Sequence, residues 1–140
     1  MGVCLPRRRP SAQPFGVGDG RALSSAEANF DGAFPYGGGA RGKSRQSTCR
    51  VGSYPANALG LHDMHGNVFE WCADRYAEYP AGHVTNPRGP SEGGSDRVIR
   101  GGGWYFPGAT CRAALRGKGS GRGDGIGFRV AGVLFRSDAK

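Results

Sequence analysis

The chain has 140 residues, among them 27 Gly and 9 Pro, and a formal net charge of +8. That length allows one domain at most, and so much Gly and Pro leaves room only for a small core. Two Trp, five Tyr and seven Phe exclude a chain disordered throughout, because disordered sequences are poor in aromatics.

The charge invites a nucleic-acid reading. The arginines, however, are scattered from Arg7 to Arg136, and only Arg7-Arg8-Arg9 form a run. A scatter over a solvated surface is the simpler account, so nucleic acid is not the expected partner. No stretch approaches the ~20 apolar residues of a membrane-spanning helix, and no membrane contact is expected. The cysteines Cys4, Cys49, Cys72 and Cys111 include no CxxC pair, which excludes a zinc ribbon. The opening MGVCLPRRRP lacks the apolar stretch of a secretory signal. Four free thiols in a cytoplasmic chain is the default reading, and two disulfides the alternative.

In chain order, residues 1–20 carry Pro6, Pro10 and Pro14 and no periodicity, and read as an extended or disordered lead-in. Ser24–Ala28 suits one helical turn, capped by Ser24 or Ser25 with Glu27 near its positive end. Asn29–Tyr36 reads as a packed turn, and Gly37–Arg50 as a basic surface loop. Val51–Tyr54 is a short strand candidate stopped by Pro55. Asn57–Met64 is expected to turn Leu59, Leu61 and Met64 inward, and Gly66-Asn67 marks a turn. Val68–Ala73 reads as a strand with Val68, Glu70 and Cys72 on one face. A carboxylate on that face needs a cation or an arginine, because a buried unpaired charge is costly. A Pro- and Gly-rich excursion runs from Arg75 to Ser95, and Arg97–Arg100 is a strand. The triplet Gly101–Gly103 turns the chain or admits a second backbone closely. Trp104–Arg116 carries aromatics and two arginines, Gly117–Gly125 reads as a loop, and Ile126–Phe135 as the closing strand.

Asp63 and Glu70 bracket a Gly-containing turn. Calcium takes carboxylates together with the carbonyls that such a turn exposes. The competing account has Asp63 cap the turn and Glu70 pair with an arginine. His62 and His65 lack a third ligand at matching spacing, and read as satisfied surface or loop histidines rather than metal ligands.

The blocks NALGLHDMHGNVFEWCAD (57–74), RVIRGGGW (97–104), CRAALR (111–116) and GFRVAG (127–132), with ANFDGAFPYGG (28–38) and NPRGP (86–90), are ordered as in one known family. The chain resembles the sulfatase-modifying factor family, the formylglycine-generating enzyme-like domain. The resemblance runs from about Ala28 to Val133. It implies an α+β, loop-rich fold with little regular structure, a variant of the C-type lectin fold. It covers the C-terminal half of such a domain, as if truncated at its N-terminus: residues 1–20 as lead-in, 21–140 as the domain's C-terminal half.

The resemblance further implies a calcium site with Asp63 and Glu70 as side-chain ligands and Gly66 and Val68 supplying carbonyls. A second family calcium site would use Asn29 and the Phe30 carbonyl with an acid in the next loop. That loop offers Arg41 and Lys43 instead, so the second site is expected to be lost. Family enzymes oxidise a sulfatase cysteine to formylglycine with oxygen and copper(I) held by two cysteines, a soft donor pair suited to that ion. Here Phe106 stands at the first cysteine position, and Cys111 is the one weak catalytic candidate. Copper is therefore not an expected cofactor. The resulting expectation is a calcium-stabilised, non-catalytic or altered lectin-like module, binding a protein or small molecule through residues 104–124. The alternatives are a formylglycine-generating oxidoreductase acting on a protein cysteine, or a ligand-binding protein diversified by a retroelement.

Overall fold

The computed structural model describes residues 13–132 except 84, 86–88 and 93. The expectations for residues 1–12, for Asn86–Arg88 of the NPRGP block and for the end of the closing strand lie outside the described residues. Regular structure is sparse: strands β1 (Phe69–Arg75), β2 (Arg97–Arg100), β3 (Gly117–Gly119) and β4 (Ile126–Gly127), with one 3-10 helix (Gly108–Cys111). The loop-rich expectation holds, while among the described residues no α-helix appears.

The strands form one sheet in the order β3-β2-β1-β4. β1 and β2 pair antiparallel with Glu70 opposite Arg100 and Trp71 opposite Ile99, and an irregularity follows before Arg75 meets Arg97. β4 joins β1 in parallel, with Phe69 opposite Ile126 and Glu70 opposite Gly127. β2 forms as its β-branched centre dictates, with Val98 and Ile99 buried. β3 corrects the expectation of a plain loop at 117–125. Arg97, Val98 and Ile99 pair with Gly119, Lys118 and Gly117. A Cβ on Gly119 would meet the Trp71 ring at 2.8 Å. The indole lies over a bare backbone, a known way of covering an edge glycine.

The main core lies away from the sheet and contains Phe15, Leu23, Ala28, Phe30 and Cys111, flanked by Val17 and Tyr36. Phe15 corrects the lead-in expectation for residues 13–20. It is buried, edge-on to Tyr36 and His65 at 5.4 Å each. Residues 24–28 form a turn rather than a helix: the Glu27 N–H donates to the Ser24 carbonyl at 3.0 Å. Glu27 Oε2 in return accepts from the Ser24 N–H and hydroxyl, at 3.0 and 2.8 Å.

Two strand expectations and one burial expectation fail in these segments. Val51–Tyr54 is a turn closed by Ser53 N–H to the Arg50 carbonyl, with Val51 exposed. Leu59 and Leu61 point outward, at 75% and 42% exposure. Beyond Gly127 the described part of the closing run pairs with nothing regular, and Phe128 and Val130 are 77% and 83% exposed. Apolarity alone does not bury a side chain.

His65 holds the core to the turn that precedes β1. The Gly16 N–H donates to Nε2 at 2.9 Å, and the Cys111 carbonyl lies 2.7 Å from Nδ1. A backbone N–H can only donate and a carbonyl can only accept, so the ring is neutral with its proton on Nδ1. The histidine is satisfied as expected, but it is buried rather than on the surface. Burial lowers its pKa, against a smaller upward pull from the Cys111 carbonyl. A lowered folded-state pKa contributes stability that is complete above the unfolded value of ~6.5 and is lost as pH falls through the folded value. Thermal melts from pH 7.5 to 4.5 are therefore expected to drop on the acid side, by at most about 1.4 kcal/mol per pH unit from this group. His65→Gln should lower the melting temperature at pH 7.5 and flatten the acid slope. An unchanged slope would show that His65 does not carry it.

Candidate functional site

Two regions bear on chemistry: the turn 63–70 with its cleft, and the segment from Gly101 to Cys111. The turn is built on backbone conformations rare outside glycine, with φ of +54° at Asp63, +78° at Gly66 and +67° at Asn67. Asp and Asn tolerate this region better than other side chains. The Gly66 N–H donates to the Gly101 carbonyl and the Asn67 N–H to the Asn29 carbonyl, both at 2.7 Å. A Cβ on Gly66 would collide with the Asn29 carbonyl.

Asp63, Gly66, Val68 and Glu70 line one cleft of about 130 Å³, with Val51, Asn67, Phe128 and Arg129. The structure thus brings the four sequence-derived positions together. It also identifies an ionic partner for Glu70. Arg129 grips the carboxylate with two nitrogens, at 2.6 and 3.0 Å. Its guanidinium also donates to the carbonyls of His62 and Asp63, at 3.0 and 3.4 Å. The hydrogen bond to Glu70 is the main cause of the raised Arg129 pKa. Asp63 Oδ2 accepts the Gly52 N–H at 2.6 Å. The sequence offered "a cation or an arginine" for Glu70; GFR supplies the arginine, a role that spacing alone could not assign across 59 residues.

Sequence reasoning missed the amide pair Asn29–Asn67. Asn29 Nδ2 donates to Asn67 Oδ1 at 3.1 Å and to the Ser47 carbonyl at 3.0 Å. Asn67 Oδ1 also takes the Cys49 N–H at 2.9 Å. Asn29 Oδ1 is buried with no hydrogen-bond partner. Arg41 and Lys43, which stand where an acid would complete a site around Asn29, are exposed.

In the second region the glycine triplet both turns and admits a close backbone. Gly101 and Gly102 have φ of +95° and +80°. A Cβ on Gly102 would meet Cys111 Cα at 3.0 Å and its nitrogen at 3.1 Å. Cys111 is fully buried, and burial pushes its thiol up to about 12. With no metal bound, burial thus favours the protonated thiol at neutral pH. The Phe106 ring stands edge-on to Phe69 at 5.2 Å. The pair Phe106 and Cys111 does not fit a copper(I) site.

Of the expected ligand surface, Trp104, Tyr105 and Phe106 form a run of contacting rings, Trp104 edge-on to Tyr105 and Tyr105 tilted against Phe106, with centroids 4.7 and 4.3 Å apart. Tyr105 lies over Gly125, where a Cβ would meet its ring at 2.7 Å. The aromatic run therefore abuts the end of the 117–124 segment, whose residues 120–124 are exposed. No helix among the described residues is long and apolar enough to cross a membrane.

Residues 11–133 match the sulfatase-modifying factor enzyme 1-like domain. The chain is 51% identical over 61 residues to the serine/threonine-protein kinase pkn1 of Chlamydia caviae, covering 41% of this chain and 10% of that protein. It is 35% identical over 92 residues to the formylglycine-generating enzyme of Mus musculus, covering 61% of this chain and 24% of the enzyme. Among solved structures, PvdO from Pseudomonas aeruginosa superposes with a TM-score of 0.63 at 34% identity, over 82% of this chain and 42% of that one. Treponema denticola variable protein 1 superposes with a TM-score of 0.61 at 31% identity, over 74% and 35%. The chain thus spans less than half the length of each of these relatives.

The Gly102–Cys111 approach leaves no room for a side chain, and the positive φ adds strain to any other residue. Gly102→Ala should destabilise the fold by about 2–4 kcal/mol, read as a lower urea midpoint. A loss below about 0.5 kcal/mol would mean that the two segments separate freely.

Proposed function

The chain belongs to the sulfatase-modifying factor enzyme 1-like family, and from that premise we propose a non-catalytic, ligand-binding module of C-type-lectin-like architecture. One observation carries the reading. Where a formylglycine-generating oxidase needs two copper-binding thiolates, this chain has a phenylalanine packed on Phe69 and a thiol raised to about 12 by burial. Phe106 offers no donor atom, so the pair supplies one sulfur where the copper(I) site of the family enzymes has two.

The binding surface proposed is residues 104–124, for a protein or small-molecule ligand. It combines mutually packed aromatics with exposed polar residues, on a segment that β3 ties to the sheet. Rigid aromatics beside adaptable polar groups make effective recognition surfaces. The 3-10 helix and β3 hold the middle of this segment, and residues 120–124 beyond them are exposed, so substitutions there would alter the surface without touching the core.

Calcium is part of the proposal. Asp63 and Glu70 would bind it through carboxylates, and Gly66 and Val68 through carbonyls. Hard oxygen donors on a folded turn suit that ion, and all four residues line the same cleft. Arg129 already neutralises Glu70, so an ion there would share or displace the guanidinium. When bound it would neutralise the acidic pair and tie the turn to β1.

The alternative, a formylglycine-generating oxidoreductase, follows from the names of relatives and makes the opposite prediction. Copper(I) titration of the reduced protein should show no tight site, and a CxPxR peptide should not be converted in the presence of oxygen and copper. Tight one-to-one copper binding with formation of the aldehyde would overturn the binding-module reading. For calcium, melts with and without chelator should differ, by about 2.7 kcal/mol at a hundredfold excess over Kd. Asp63→Ala should abolish the difference. Identical melts for the parent chain would remove the calcium site.

A further inference from the structure

A larger cleft, about 380 Å³, lies apart from both regions above. One wall is the turn 16–18, the other is residues 55–58, and Glu27 lies at its margin. Both walls are fixed. The Gly16 N–H is tied to His65, and the 16–20 turn is closed by Phe15 N–H to the Gly20 carbonyl at 3.0 Å. On the opposite side Asn57 Oδ1 accepts the N–H groups of Leu59 and Leu61, at 2.9 and 3.0 Å.

The lining is small and apolar apart from two polar side chains. Val17, Pro55, Ala56 and Ala58 supply the apolar surface, and Gly16 and Gly18 keep one wall bare. Glu27 is the only charged residue in the lining. Both bonds to Ser24 use Oε2. Oε1 instead lies against Gly18, so close that a Cβ there would collide with it. Among the described residues the one ion pair is Arg129–Glu70, so Glu27 has no salt-bridge partner. In a chain of net charge +8, this cleft is a local negative site with an open acceptor and apolar walls.

We propose that this cleft binds a small organic cation, an ammonium or guanidinium on a short apolar stem. The head would meet Glu27 Oε1, and the stem would lie against Val17, Pro55, Ala56 and Ala58. The volume falls within the range of small-molecule sites, and a charge-assisted bond in a partly screened cleft gives selectivity over a neutral isostere. Anions are excluded by the same carboxylate. None of residues 63–70 or 104–124 lines this cleft, so its failure would leave the binding-module reading intact.

The test is amide NMR of the full chain titrated with n-butylguanidinium, and in parallel with n-butylurea, its neutral counterpart. Saturable shifts are expected at Gly16, Gly18, Ala56 and Ala58, with the cation about five- to tenfold tighter than the urea. Glu27→Gln keeps the shape and removes the charge, and should erase that preference. Ala58→Leu fills the cleft from the other wall, away from the Ser24–Glu27 turn, and should abolish both sets of shifts. Absence of saturable shifts, equal binding of the two probes, or a preference that survives in Glu27→Gln would each overturn the proposal. If Glu27→Gln fails to fold, unchanged binding in Ala58→Leu overturns it by itself.

Discussion

The turn at residues 63–67 is the constraint on which the rest depends. It is bonded to the Asn29 carbonyl, to the Gly101 carbonyl, to the loop at Cys49 and, through the Asn67 carbonyl, to the Trp104 N–H. His65 adds Gly16 and the Cys111 carbonyl. Segments far apart in sequence therefore meet on one five-residue stretch. Only a backbone with positive φ at Asp63, Gly66 and Asn67 presents its N–H groups and side chains in so many directions. Such a conformation is strained for Asp and Asn. It is kept because the surrounding bonds over-determine it.

A loop-rich chain has a second difficulty, which is where its carbonyl groups find donors. Helices and sheets satisfy most backbone acceptors, and here there is little of either. Arginine answers this in several places. Arg97 donates to the Ala73 carbonyl, Arg100 to those of Ala113 and Leu115, Arg112 to Ala109, Arg116 to Ala77, and Arg129 to His62 and Asp63. Arg116 also stacks on Tyr76 and Tyr79, at 5.2 and 4.3 Å. A guanidinium carries several N–H donors on one rigid plane, so it can bind loop carbonyls that lysine would reach singly. These five arginines are thus committed to the fold. This gives a physical reason why scattered arginines need not mark a nucleic-acid surface.

How much was legible in the sequence follows from the same bonds. Arg97–Arg100 was readable as a strand because its β-branched centre reports on a local preference. The Gly101–Gly103 turn was readable because repeated glycine has a local cause. Glu70's need for a cation or an arginine was readable from the alternation of the strand. Its partner Arg129, the burial of Phe15 and the Asn29–Asn67 pair were not, because each joins residues distant in sequence and none leaves a periodic trace. Leu59, Val51, Phe128 and Val130 misled in the other direction. Their apolarity suggests burial, and each is largely exposed.

The two halves of the family resemblance separate physically. The residues that make the fold, Gly66, Asn67 and Gly102, are held by backbone geometry and tolerate little change. The positions where family enzymes place chemistry have been absorbed into the same packing. Phe106 closes an aromatic contact with Phe69, and Cys111 fills the core while its carbonyl fixes the tautomer of His65. The thiol is buried in the core cluster, while the backbone of the same residue holds His65 and lies against Gly102. Cys111 thus contributes to this fold through its side chain and its backbone at once.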